Sequence, residues 1–210
     1  MDQDKEVKDR ILALTRDRLL QLGYSRVTLD EIATELGMSK KTLYKYFAGK
    51  NELALEAIRF HFGEIETEMK AIVTSSAPFT EKLHNIMMMQ RRQTGRLNSL
   101  VVGDLQKHAP RIWKEIETLR RERLLSKIEV LFKNARAEHV FRPDVDDRIV
   151  LMMILASADA VANPETAMAL SLSIKDIVQS IFHVIFEGAL TDEARATIHG
   201  IDAVRSGAAQ

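Results

Sequence analysis

Four lysines, Lys40, Lys41, Lys45 and Lys50, stand between Leu36 and Lys50 with no Asp or Glu among them. The whole chain carries 30 basic and 30 acidic residues and a formal charge of zero, so these lysines are a local excess. Phosphate is the ligand such an excess suits. Each lysine placed on a nucleic-acid phosphate displaces counterions and steepens the salt dependence of binding by about one unit. Tyr44 and Tyr46 interleave with the lysines, and phenol hydroxyls are frequent phosphate partners. A merely solvated lysine face has the same composition, so the patch has to be read with the elements that present it.

Those elements are short helices. Val7, Ile11 and Leu14 step at helical spacing, with polar residues between them, until Gly23 stops the helix. Thr28 offers an N-cap and Glu31 closes a capping box for a helix over Leu29–Leu36. Gly37 supplies the positive φ a tight inter-helix turn needs, and Ser39 caps the next helix, which runs to about Phe47. Ile32, Ala33, Leu36, Met38, Leu43 and either Tyr46 or Phe47 fall inward, and Ala33 stands where two steeply crossing helices would collide over a larger side chain. The capped first turn after Ser39 is left exposed, as in a helix that presents itself to base edges.

The rest of the chain excludes more than it assigns. With 9 Gly and 4 Pro among 210 residues, turn-rich β folds are disfavoured, and 46 % hydrophobic with 29 % charged residues is a globular composition. There is no cysteine, no HExxH and only six scattered His, so no enzyme, metal centre or cofactor is expected. Met1–Arg10 alternates acid and base, and the longest apolar stretch, Ile149–Ala162, is broken by Ser157 and Asp159 and is too short for a bilayer. A cytoplasmic protein with no membrane partner is the expectation. A long helix over about 50–73 carries Ile58, Phe62, Ile65, Met69 and Ile72 as one stripe, and the pattern stops at Ser75-Ser76-Ala77-Pro78. Further helices are predicted at about 79–95, 98–107, 109–138, 145–162 and 171–190, with a short piece at 191–200 and a fraying tail from Ile201. Arg142-Pro143-Asp144 and Ala162-Asn163-Pro164 are read as turns.

The run Gly23-Tyr24, Thr28-Leu29-Asp30-Glu31-Ile32-Ala33, Leu36-Gly37-Met38-Ser39-Lys40-Lys41-Thr42-Leu43-Tyr44-Lys45-Tyr46-Phe47 and Lys50-Asn51-Glu52-Leu53 resembles the N-terminal domain of the TetR family of bacterial regulators, over about residues 7–60. Lys41 stands where family members often have a small residue. The resemblance implies that Thr28, Tyr44 and Lys50 hold operator phosphates. It also implies that Ser39, Lys40, Lys41, Thr42, Lys45 and Tyr46 meet base edges or flanking phosphates, with Leu43 and Phe47 in the core. The fold class implied is all-α: a helix-turn-helix DNA-binding domain in residues 1–50, the linking helix at about 50–73, a helical effector-binding and dimerisation domain at 75–200 and a flexible tail at 201–210. The function implied is a homodimeric repressor on palindromic operator DNA, released by a small-molecule effector. The alternative is an activator or architectural DNA binder with no effector.

Two features bear on that second domain independently. Residues 149–156 are apolar without interruption, and the helix over 171–190 has a wide stripe through Ile174, Ile177, Val178, Ile181, Phe182, Ile185 and Phe186. Such helices need covering on every side, either inside one chain or by symmetry mates in a homodimer through about 145–162 and 171–190. Met88, Met89, Met152 and Met153, with Trp113, Phe132 and Phe79, could line a pocket for a small apolar effector, since methionine adapts its shape. Gap-filling core accounts for the same residues equally well.

Overall fold

The computed structural model describes residues 2–96 and 99–207, with side chains at 3–93, 101–119, 122, 130–132, 135, 138–158, 160–163 and 165–201. Among the described residues the secondary structure is helical, apart from one isolated antiparallel bridge between Phe141 and Leu190. The chain forms two compact units, one of Met1–Thr67 with Arg96–Arg123 and one of Glu68–Gly95 with Leu124–Gln210.

In the first unit, α1 (Asp2–Leu22) ends at Gly23, whose φ is +86° and whose N–H donates to the Leu19 carbonyl at 3.0 Å. The left-handed conformation asks for glycine at Gly23, and a Cβ there would lie 2.8 Å from Asp104 Oδ2, so the Asp104 carboxylate would have to move. Thr28 caps α2 (Leu29–Glu35) through the complete capping box with Glu31. The turn that follows is closed by Gly37 N–H to Thr34 O at 3.1 Å and Met38 N–H to Ala33 O at 2.9 Å. Gly37 sits at φ +66° with open space where a Cβ would be, so here the conformation alone asks for glycine. Ser39 caps α3 (Lys40–Tyr46), and α4 (Lys50–Thr74) follows directly.

The unit's core gathers Ile11, Leu12 and Leu19 of α1, Ile32 and Ala33 of α2, Leu43 of α3, and Leu53, Ala54 and Ala57 of α4 around Phe47. Burying a side chain such as Ile32 or Leu43, each 1 % exposed, is worth about 1.5–3 kcal/mol. Two later elements complete this core. Val101 and Leu105 of α6 (Ser99–His108), then Ala109 and Ile112 at the start of α7 (Pro110–Ala137), belong to it, and Trp113 packs against it. Asp104 ties α6 to the loop after α1 by accepting from Ser25 N at 2.8 Å and Ser25 Oγ at 2.5 Å. The compact units therefore divide the chain differently from the division expected at about residue 75.

The second unit contains α5 (Phe79–Arg96), α8 (Asp147–Ala160), α9 (Pro164–Leu170), α10 (Ile174–Ala189) and α11 (Asp192–Gly207). Phe79 packs edge-on to Phe132 at 6.3 Å and to Phe141 at 5.6 Å, and Phe79 N–H donates to Glu138 Oε2 at 2.7 Å. The Phe141–Leu190 bridge is flanked by Arg142 N–H to Ala189 O and Thr191 N–H to Val140 O, both 3.0 Å. On α10, Ile174, Ile177, Val178, Ile185, Phe186 and Ala189 are buried.

Three expectations change. The stretch read as a turn at Ala162-Asn163-Pro164 opens a helix, because the Asn163 side chain caps Thr166 N–H and Pro164 sits at the first helical position. The last helix starts at Asp192 and continues to Gly207, past the predicted end at 200. The side chains of Leu124 and Ile128 on α7 lie outside the described ones. On α8 the eight-residue apolar run is not covered on every side within the chain. Val150 and Ile154 are 3 % exposed, whereas Ile149, Met152 and Met153 are 54 %, 64 % and 50 % exposed.

Candidate nucleic-acid interface

The cap and the core fix the azimuth of α3. Ser39 Oγ accepts from Thr42 N at 3.1 Å and shares a 2.9 Å hydrogen bond with Thr42 Oγ1. Leu43 points into the core, and Phe47 ends the helix there. Lys40 is exposed at the start of the helix, and further along it Lys41, Tyr44 and Lys45 turn outward. Among the described residues none of these three makes an ion pair or a side-chain hydrogen bond. They form a cationic surface with a phenol in its middle.

The other expected DNA-contacting side chains are engaged within the unit. Lys40 Nζ donates to Asp30 Oδ2 of α2 at 2.8 Å, which raises the lysine pKa. Tyr46 donates its hydroxyl proton to Asp4 Oδ1 of α1 at 3.0 Å, and that bond raises the phenol pKa. Thr28 is engaged by Glu31: its N–H and hydroxyl both donate to Oε2, and its oxygen accepts from Glu31 N. Lys50 Nζ donates to Ser25 O at 3.3 Å and sits 4.4 Å from the Tyr24 ring centroid. Desolvation lowers its pKa, against the raising influence of Asp104 and Glu31. Asp4, Asp30 and Asp104 are thus neighbours of the candidate residues that sequence reading did not single out. Asp30 is visible as an acid in the first turn of α2, but nothing in the sequence says that Asp4 or Asp104 returns to this surface.

The candidate pocket residues fall in both compact units, Trp113 in the first and the others in the second. Trp113 packs against the core of the first unit. Met89 is fully buried and Phe132 is 3 % exposed inside the second unit, where Phe132 is already packed by Phe79 and Phe141, and Met88 is half-buried. Met152 and Met153 are on the outer surface of α8, because Val150 and Ile154 take its inward positions. A space of about 10 Å³ beside Thr15, Leu19, Val27 and Lys50 has room for about one water, not an effector.

Comparison with known proteins agrees with this geometry. Residues 11–57 match the model of bacterial regulatory proteins of the tetR family. The HTH-type transcriptional regulator YvaF of Bacillus subtilis is 24 % identical over 185 residues, covering 88 % of this chain and 96 % of its own length. A TetR transcriptional regulator from Chloroflexus aurantiacus shares the fold at a TM-score of 0.63 and 16 % identity, covering 91 % of this chain and 100 % of its own. A transcriptional regulator from Saccharomonospora viridis, solved in complex with choline, does so at 0.66 and 22 %, covering 89 % and 99 %. These likenesses to solved structures bear on the fold. The helix-turn-helix of residues 11–57, built as described, is thus similar in sequence to bacterial regulatory proteins of the tetR family, and most of the chain to an HTH-type transcriptional regulator.

Proposed function

We propose that the protein is a homodimeric repressor that grips a palindromic operator through α3 and is released by a small-molecule effector. The observation that carries this reading is the outward face of α3, where Lys41, Tyr44 and Lys45 stand unengaged on a helix whose cap and inward side chains are fixed. In this reading residues 1–50 bind DNA, with α4 as the linking helix. Residues 75–200 dimerise and hold the effector.

Dimerisation is supported by α8 and α10, which pack on each other and leave Ile149, Met152, Met153 and Val184 exposed, the last at 70 %. A two-fold copy of the same pair would cover these side chains in a four-helix interface. An effector is supported by the choline complex of the Saccharomonospora viridis protein, which has the same fold. Both α4 and α7 contribute residues to each compact unit, so the chain has two continuous helices through which occupancy of one unit can bias the other. The effector acts only as far as it binds the two states with different affinity. The regulator works in the cytoplasm, where its operator is.

Selection of the full-length chain against a random duplex library tests this. Enrichment of an inverted repeat with half-sites about one helical turn apart is expected. A final pool indistinguishable from the starting one would remove the DNA-reading role.

A further inference from the structure

A second run of bases without acids lies in the compact unit that holds α3. Gln106–Lys114 carries Lys107, His108, Arg111 and Lys114 and neither Asp nor Glu, the pattern that marks Leu36–Lys50 in a chain of zero net charge. It forms the corner where α6 ends and α7 starts. Leu105, Ala109 and Ile112 are buried in the core of the unit and Trp113 packs against it, which leaves Lys107, Arg111 and Lys114 outside, all exposed. Among the described residues these three form no ion pair. The acids at either end of the run are engaged elsewhere. Glu115 Oε1 accepts from Arg59 Nε and Nη2 of α4 at 3.0 and 2.9 Å. Asp104 accepts from Ser25 N and Oγ at 2.8 and 2.5 Å. Asp104 also places the corner. The Ser25 carbonyl accepts from Lys50 Nζ at 3.3 Å, and Lys50 is a candidate phosphate anchor. Lys107 and His108 follow Asp104 by one helical turn, about 5 Å along α6, and His108 Nε2 is 3.9 Å from Asp104 Oδ1. The basic run therefore begins one turn beyond the residue that holds the loop under Lys50.

We propose that the α6–α7 corner is a second phosphate-binding surface, through which Lys107, Arg111 and Lys114 meet the DNA backbone beside the phosphate held by Lys50. Three charges spread over about two helical turns suit a polyanion with repeating charge better than one small anion. The proposal rests on the reading of α3 as the DNA-binding helix. It extends the footprint to residues far downstream of the helix-turn-helix, and it adds affinity without sequence preference, since phosphates carry no base information.

The test is duplex binding by the full-length chain across a salt series, read by anisotropy. Lys107→Gln with Arg111→Gln should make the slope of log K against log salt shallower by about two per half-site. It should weaken strong and weak sites by the same factor and leave the selected sequence unchanged. Lys107→Arg with Arg111→Lys keeps both charges and should keep the wild-type slope. Lys70→Gln with Arg91→Gln removes as much charge from exposed positions of the second unit and should keep it too. A wild-type slope in the first variant overturns the proposal, because the corner is then only a solvated face. An equal fall in the Lys70 and Arg91 variant overturns it, since overall charge and not contact would be at work. A slope lost in the charge-keeping swap does the same by pointing to folding, and a loss confined to some sequences does so by pointing to a base contact. If Lys41→Ala with Lys45→Ala flattens the slope while the corner variant does not, this proposal fails alone. If the wild type binds no duplex, the reading of α3 fails with it.

Discussion

The side chains turned outward on α3 are Lys41, Tyr44 and Lys45, while on the packed pair α8 and α10 they include Ile149, Met152, Met153 and Val184. The first surface is polar and is sorted by its neighbours. Asp4, Asp30 and Glu31 occupy Tyr46, Lys40 and Thr28, leaving a small unengaged set that suits phosphate. The second surface is apolar with nothing to sort it, and its exposed side chains suit a copy of themselves. Polar recognition surfaces are made by committing some groups and freeing others, whereas an apolar one is made by leaving a face uncovered.

Breaking the apolar surface should have the largest effect. Met152→Asp with Val184→Asp places charges on that face, and sedimentation velocity should show monomers where the wild type shows dimers. Operator affinity should fall about 100-fold or more, as the second half-site loses its high effective concentration. A pair that stays dimeric would show that this face is not the one covered.

Next in size is the frame beneath the polar surface. Gly23→Ala forces a left-handed conformation at about 1–2 kcal/mol and brings a methyl against Asp104, so urea unfolding should show at least that loss. Asp104→Ala removes two hydrogen bonds from Ser25 and should cost about 1 kcal/mol at neutral pH. This cost should depend on acid. Burial works to raise the Asp104 pKa, but hydrogen bonds from the Ser25 side chain and backbone outweigh it and hold the carboxyl below its ordinary value. A depressed acid contributes stability above the ordinary carboxylate range and loses it as pH falls through its folded pKa. The wild-type advantage over Asp104→Ala should therefore be complete at neutral pH and shrink below about pH 4. A difference that is constant with pH would mean the carboxylate's charge plays no part.

The smallest effect sharpens the polar surface. Asp30→Asn frees Lys40 from its ion pair. Binding to random duplex at low salt, read by anisotropy, should tighten a few-fold with a salt slope steeper by up to about one. An unchanged slope would show that Lys40 points away from phosphate even when released.

The architecture of the helix-turn-helix was legible because its signals are local. Gly23, Thr28 with Glu31, Gly37 and Ser39 each act within four residues, and each does what its type and spacing suggested. The same kind of signal was present at Asn163-Pro164 but was read as a turn, since Pro serves a turn and a helix start equally. Long-range partners were not legible. Asp104 reaches Ser25 across 79 residues and Asp4 reaches Tyr46 across 42, and no periodicity carries such a pairing. The same limit applies to the methionines, whose burial is set by helix azimuth: Met89 is inside while Met152 and Met153 are outside.

The most direct test of α3 as the DNA-binding helix is the salt dependence of duplex binding by the wild type and by Lys41→Ala with Lys45→Ala. If both lysines sit on phosphates, the slope of log K against log salt should be shallower by about two in the double variant. An identical slope in the two proteins would contradict the placement of DNA on this face.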